Sequence, residues 1–287
     1  MKEKIRLDVL LTQRGLFPSR EKARAAIMAG EVLVNEIKTD KAGASVDVNS
    51  KIRLLGEKLP YVSRGGLKLE KALKCFNIDM TDKTVIDIGA STGGFVDCAL
   101  QNGAKKVYAV DVGESLLHDS LLQNTKIVQM NNTNARYLTK NDFNDAIDGV
   151  VTDVSFISLR LIFPTIKNIL KDNGEAVVLV KPQFECENKN IGKSGIVHPS
   201  AHAKIVKKVL GYATENGLYP LGITNAPIRK GKNVEYVLWL KPNYQDAASV
   251  SYIVNEVKNI VSNEITEKNT KENSLGGNND ENRGTWQ

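Results

Sequence analysis

A doubly wound, mostly parallel α/β sheet preceded by a small α+β domain is the fold that this 287-residue sequence predicts. Three observations predict it. From residue 65 onward, short β-like runs alternate with helical ones, the pattern of strands covered by helices on both faces. Within that region VIDIGASTGGF, residues 85–95, carries an apolar strand into a loop holding Gly89, Gly93 and Gly94 just before a helix, which brings bare backbone close to a ligand at a helix N-terminus. Ahead of it, residues 1–60 contain two short basic helices and several tiny strands.

Taken in order, RLDVLL from Arg6 places Leu7, Leu10 and Leu11 at helical spacing until Gly15 stops it. Ser19 is a good N-cap for REKARAAIMAG, in which Ala23, Ala26 and Ile27 share one side while Arg20 and Arg24 lie elsewhere, four residues apart. EVLVNEIK, VDV and KIRLL read as short strands broken by Asn35 and Gly43. Pro60 reads as an interdomain join, and GGLKLEKALKCF, residues 65–76, as a helix. Strands are predicted at 84–88, 106–112, 127–130, 149–154, 175–181, 218–224 and 234–241, and helices at 94–102, 159–170 and 199–216. No helix separates the last two strands, so an antiparallel hairpin is expected at one edge. A final amphipathic helix, 250–261, leads into a polar, Asn-rich tail, 262–287, whose composition predicts disorder.

Composition is that of a globular protein, 41% hydrophobic and 25% charged, with a net charge of +6. Residues 1–80 hold 16 basic and 10 acidic side chains and the rest of the chain balances, so the positive excess sits at the front, as expected of a segment that meets a polyanion. Cys75, Cys98 and Cys186 form an odd set without paired or metal-type spacing, which suits reduced thiols in the cytoplasm, with Cys98 as core packing. The first apolar stretch is cut by Asp8, so no signal peptide is expected, and nothing approaches 18 consecutive apolar residues, so no membrane partner is expected. His118 stands alone, and His198 and His202, spaced i, i+4, lack a third ligand; no metal site is expected.

In open α/β sheets the ligand lies beyond the carboxyl ends of the strands. The spacing G-x-x-x-G-G differs from the dinucleotide pattern G-x-G-x-x-G, so a nucleoside cofactor without a pyrophosphate is expected. Asp111, ending KVYAVD 18 residues after Gly93, is placed to take the ribose hydroxyls of that nucleoside. Asp153 ends GVVTD and Lys181 ends GEAVVLVK; three such residues at one sheet edge predict a shared pocket rather than three separate strand-end ion pairs. Glu235, which interrupts VEYVLWL, and Lys68, in the helix after the join, carry little signal by themselves.

RLDVLL, SREKARAAIMAG and VLVN resemble the S4 RNA-binding domain, expected over residues 1–60. The glycine loop, VVTDVSFIS, LVKPQFE and KNVEYVLWL resemble the RrmJ/FtsJ-type S-adenosylmethionine methyltransferases, expected over 61–261. With YVSRGGLKL and the S4 segment, residues 1 to about 260 are similar to the TlyA family, whose members are ribosomal RNA 2'-O-methyltransferases acting on cytidine, historically labelled hemolysins. The resemblance implies a seven-stranded Rossmann-like sheet with an antiparallel last strand, S-adenosyl-L-methionine as cofactor, and 16S or 23S ribosomal RNA as partner. It places a Lys-Asp-Lys-Glu tetrad on Lys68, Asp153, Lys181 and Glu235. It places cofactor contacts on Asp87, Gly89, Ala90, Ser91, Thr92, Gly93, Gly94, Phe95, Asp111, Asp153 and Phe156. Where the family's loop before the Glu carries a small polar residue, this chain has Gly231. Arg6, Arg20, Lys22 and Arg24 are expected to grip RNA phosphates, and a monomer is favoured.

The chemistry is consistent with these residue types. A ribose hydroxyl must lose its proton as it attacks a sulfonium methyl, and a lysine accepts that proton only when neutral. A pKa of about 10.4 must therefore fall, which a second lysine and partial burial favour. Lys181 is the expected base, Asp153 its orienting carboxylate, and Lys68 and Glu235 the groups that orient the hydroxyl. Three rivals weigh less. A membrane-lysing protein lacks a spanning segment, an inactive RNA-binding assembly factor has no use for the four polar residues, and a dehydrogenase conflicts with the glycine spacing.

Overall fold

The predicted apolar stripes of the two front helices meet one another. In the computed structural model, which describes residues 3–55, 59–114, 116–229, 231–242 and 247–276 (side chains to 266), the chain divides into two units, 1–60 and 61–287. The first contains β1 (Lys4–Arg6), α1 (Leu7–Gln13), α2 (Arg20–Met28), β2 (Val32–Val34), β3 (Ile37–Lys38), β4 (Ser45–Asp47) and β5 (Ile52–Leu54). Ser19 caps α2, its side chain accepting the Lys22 N–H at 3.3 Å. Leu7, Leu11, Ala23, Ile27 and Val32 are fully buried and pack in one cluster.

Beside that cluster lies a buried charge. The Asp8 carboxylate accepts from Arg6 Nε and Nη2 at 3.0 and 2.8 Å and from Arg20 Nη2 at 3.4 Å. The Arg6 guanidinium holds the Asp8 carboxyl down to about 2, from an ordinary 3.8. A depressed carboxyl stabilises the fold above its unfolded value, and that contribution is lost as pH falls through its folded value. Amide-exchange protection across residues 5–52, corrected for intrinsic exchange, should therefore fall between pH 4 and pH 2, and Asp8→Asn should flatten the dependence. An unchanged pH profile in the variant would refute this account.

The second unit contains α3 (Gly65–Phe76), β6 (Thr84–Ile88), α4 (Gly94–Gln101), β7 (Lys106–Val110), α5 (Asp119–Leu122), β8 (Ile127–Met130), β9 (Ile147–Thr152), α6 (Phe163–Ile169), β10 (Leu170–Val180), α7 (Pro182–Glu185), α8 (His202–Glu215), β11 (Tyr219–Asn225), β12 (Tyr236–Lys241) and α9 (Val250–Gly276). Its seven strands lie in the order β11-β12-β10-β9-β6-β7-β8. Strands β6 to β10 pair in parallel, whereas β12 runs antiparallel to both β10 and β11. The expected hairpin is present, with the last strand inserted between β10 and β11. Period-two alternation divides the buried side chains between two cores: Ile86, Val150, Val178 and Leu238 join one, and Val85, Val151, Val177 and Val237 the other.

Of the segments that differ from the sequence reading, two have a clear local cause. The helix expected at 159–170 is a 3-10 turn, Leu159–Leu161, followed by α6, because Pro164 fits only in a helix's first turn. The tail expected to be irregular from 262 continues α9 to Gly276. No Pro or Gly occurs from Val250 to Leu275, so nothing stops the helix that Ile253 and Val257 dock into the core. The rest of the predicted tail, 277–287, lies outside the described residues.

Candidate active site

Strand order creates the site. The chain leaves β6 for β7 and β8, then returns to place β9 on the other side of β6, so the crevice opens beyond the ends of β6 and β9. Gly89 and Asp153 follow those two strands, and the Asp153 N–H donates to the Ile88 carbonyl at 3.3 Å. Gly89 has φ +85°, and a Cβ there would meet the Asp153 carbonyl oxygen at 3.3 Å. The position therefore favours glycine on both counts.

Beyond these strand ends lies a cavity of about 750 Å³, whose lining includes Gly89, Ser91, Asp111, Asn134, Asp153 and Phe156. Asp111 is held at its wall: Oδ2 accepts the Ser91 N–H at 2.8 Å and Oδ1 the Gly113 N–H at 2.9 Å. Asp87 is fully buried, and burial pushes its carboxyl well above the ordinary value, with repulsion from Asp153 and Asp111 adding to it.

The four tetrad candidates form one ion cluster. Lys68 Nζ lies 2.9 Å from Asp153 Oδ2 and 2.8 Å from Glu235 Oε2. Lys181 Nζ lies 2.6 Å from Asp153 Oδ1 and donates to Ser155 Oγ at 2.7 Å. Gln183 Nε2 reaches Glu235 Oε1 at 3.4 Å. Burial pushes the Lys68 ammonium down, but Asp153 and Glu235 more than offset this and leave it above its ordinary value. Asp153 opens onto the large cavity, while Lys68 and Glu235 line a second one of about 190 Å³ with Gln183, Arg229, Lys232 and Asn233. The cluster therefore touches both cavities.

Lys68 arrives on α3 because α3 packs closely on α4. Asp97 Oδ2 of α4 accepts the Val62 N–H at 2.8 Å, and a Cβ on Gly94 would meet Ser63 Oγ at 2.3 Å and the Gly66 nitrogen at 2.9 Å. Gly94 thus makes room for a helix. Of the other predicted cofactor residues, Ala90 and Phe95 are buried in the core, Gly93 lies under Leu117 and Leu121, and Thr92 is exposed, its carbonyl accepting the His118 N–H at 3.2 Å. In the first unit Arg6 and Arg20 turn toward Asp8, while Lys22 and Arg24 are exposed on α2.

Ser155, Asn134, Gln183, Arg229 and Lys232 were missed by sequence reasoning. They lie in loops or on a one-turn helix, where no periodicity marks them; only the position of Ser155, two residues beyond a strand-end Asp, offered a signal. His202 is a buried hydrogen-bonding residue, its Nδ1 2.8 Å from the Tyr236 hydroxyl. Burial pushes the Cys98 thiol up to about 12. Gly231 has φ +71° and an open surrounding. Among the described residues no three His, Cys, Asp or Glu side chains group as metal ligands, and no helix is long and apolar enough to cross a membrane.

Sheet order and the switch-point cavity are those of an α/β methyltransferase fold, and the family match gives the class. Residues 61–242 match the FtsJ-like methyltransferase description and residues 5–52 the S4 domain, and the chain belongs to the FtsJ-like methyltransferase family. It is 49% identical to YqxC of Bacillus subtilis (strain 168) over 241 residues, 83% of this chain and 86% of that one. It is 36% identical to the 16S/23S rRNA (cytidine-2'-O)-methyltransferase TlyA of Mycobacterium tuberculosis (strain ATCC 25618 / H37Rv) over 265 residues, 91% of this chain and 99% of that one. Among solved structures, a candidate hemolysin from Streptococcus thermophilus superimposes with a TM-score of 0.71 at 42% identity, covering 94% of this chain and 100% of the other.

Proposed function

We propose that this protein transfers a methyl group from S-adenosylmethionine to the 2'-hydroxyl of a cytidine ribose in 16S or 23S ribosomal RNA, in the cytoplasm. The observation that carries the proposal is the Lys68–Asp153–Lys181–Glu235 cluster in contact with both cavities. The S4 domain and the reaction named for the Mycobacterium tuberculosis relative support an RNA acceptor.

The larger cavity suits the cofactor. Its volume of about 750 Å³ falls in the range of roughly 300–1,000 Å³ typical of small-molecule sites. Gly89 keeps its wall free of a side chain, and Asp111 presents a fixed carboxylate for ribose hydroxyls. When bound, S-adenosylmethionine supplies an electrophilic methyl on a sulfonium. Asp153 holds the Lys181 amine, which, once neutral, takes the proton of the 2'-hydroxyl as that oxygen attacks. Lys68 and Glu235 position the ribose from the smaller cavity, where Arg229 and Lys232 face the phosphodiester. Lys22 and Arg24 add phosphate contacts from the front domain; Arg6 and Arg20 contribute less because Asp8 partly neutralises them.

Mapping 2'-O-methylation in ribosomal RNA from cells with and without the gene tests the proposal. Loss of a defined cytidine mark is expected; an unchanged map would refute it. Asp111→Ala should weaken S-adenosylmethionine binding about 10- to 100-fold by calorimetry, the worth of hydrogen bonds to a charged group. An unchanged Kd would remove Asp111 from the cofactor site.

A further inference from the structure

The four-residue helix α7 begins directly after Lys181, and its side chains reach the loop that follows β9. That loop carries Asp153 and Ser155, and Ser155, Phe156, Ile157 and Ser158 form part of the large cavity's wall. It is also strained: Phe156 has φ +61°, a left-handed conformation that a bulky non-glycine residue rarely adopts. Such a conformation persists only where its surroundings over-determine it.

Helix α7 provides those surroundings. The Phe184 ring packs against Phe156 with centroids 4.9 Å apart. Glu185, only 4% exposed, spends both carboxylate oxygens on the loop: Oε2 accepts the Ser158 hydroxyl at 2.7 Å and Oε1 the Leu159 N–H at 2.7 Å. Lys208 on α8 donates to the Glu185 backbone carbonyl at 3.0 Å and fixes the helix from behind. Neither carboxylate hydrogen bond of Glu185 goes to the ion cluster, yet the residue sits four positions from Lys181 on one helical turn.

We infer that Glu185 is a positioning residue that locks the 153–159 loop onto the turn starting at Lys181, so that the cofactor wall and the base keep a single geometry. This rests on the methyl-transfer reading above. Two carboxylate hydrogen bonds converge on adjacent residues of the loop, one to a side chain and one to backbone, which fixes its rotation as well as its distance. The loop's other end is held by the contact of Asp153 and Ser155 with Lys181. Both catalytic alignment and cofactor affinity therefore depend on the same carboxylate.

The test compares Glu185→Ala, Glu185→Gln and Ser158→Ala with the wild-type protein. The readouts are the Kd for S-adenosylmethionine, kcat at saturating cofactor on ribosomal RNA, and Tm. In Glu185→Ala the Kd should rise and kcat fall, each about tenfold, the loss of one charged-acceptor hydrogen bond or more. Glu185→Gln should recover most of both, since its carbonyl accepts from Leu159 and its amide donates to Ser158. Ser158→Ala, which removes one bond and leaves the buried carboxylate's backbone partner, should show a smaller change in the same direction. A folded Glu185→Ala with wild-type Kd and kcat, whatever its Tm, would overturn the inference. If that variant does not fold, wild-type values in Ser158→Ala would overturn it instead. A wild-type protein that bound no S-adenosylmethionine would bring down the underlying methyl-transfer reading itself.

Discussion

Lys181→Met should lower kcat for RNA methylation about 10²- to 10⁴-fold, the usual worth of a general base, while the Kd for S-adenosylmethionine changes little. Methionine has nearly the length of lysine and suits a side chain that is 10% exposed, so the fold should tolerate it. What disappears is the group proposed to take the ribose proton. Asp153 keeps Lys68 as its ion-pair partner, 2.9 Å away, so the carboxylate is not stranded and the effect reads on chemistry. Single-turnover methylation with saturating cofactor measures it. A rate within a few-fold of wild type would show that the proton leaves by another route.

Lys68→Met should affect stability and rate together. Its ammonium lies between Asp153 and Glu235, whose side chains are 18% and 21% exposed, and removing it leaves two carboxylates facing one gap. Removing one partner of a fully buried pair costs about 3–5 kcal/mol. Solvent reaches about a fifth of this site, so screening reduces the expected loss to about 1–2 kcal/mol. Lys68 is held above its ordinary 10.5, so its contribution is fully present below that pH and is lost as pH rises through its folded value. The stability gap between wild type and variant should therefore stay constant from neutral pH to about 10 and shrink above it. Lys68→Met with Glu235→Gln should regain stability, because one of the opposed charges is gone, without regaining rate. Full recovery of the rate in the double variant would mean that Lys68 serves only as a counter-ion.

Much of the fold could be read from local pattern. Short apolar runs marked the strands from Thr84 to Lys241, Ser19 and Gly30 bounded a helix, and Gly89 announced a loop in which a side chain would crowd the backbone. The four polar residues of the site could be read unequally. Asp153 and Lys181 end apolar strands and so stand out, whereas Lys68 and Glu235 drew attention only through resemblance to a family. The misreadings have local causes. Pro164 moved a helix start, and the lack of any Pro or Gly carried α9 past residue 261 despite its polar composition. Nothing in a linear pattern shows that Asp8, on the buried face of α1, pairs with both Arg6 and Arg20.

By itself the sequence determined the fold class, the two units, the glycine loop and which strand ends carry charge, since each follows from periodicity and backbone preference within a few residues. Only the tertiary structure decided that Lys68 meets Asp153 across 85 residues of chain, that Gly94 serves helix packing, and that Glu185 grips the loop bearing Asp153. The physical reason is that a local pattern records which face of an element is buried, whereas strand order sets which buried faces and strand ends become neighbours.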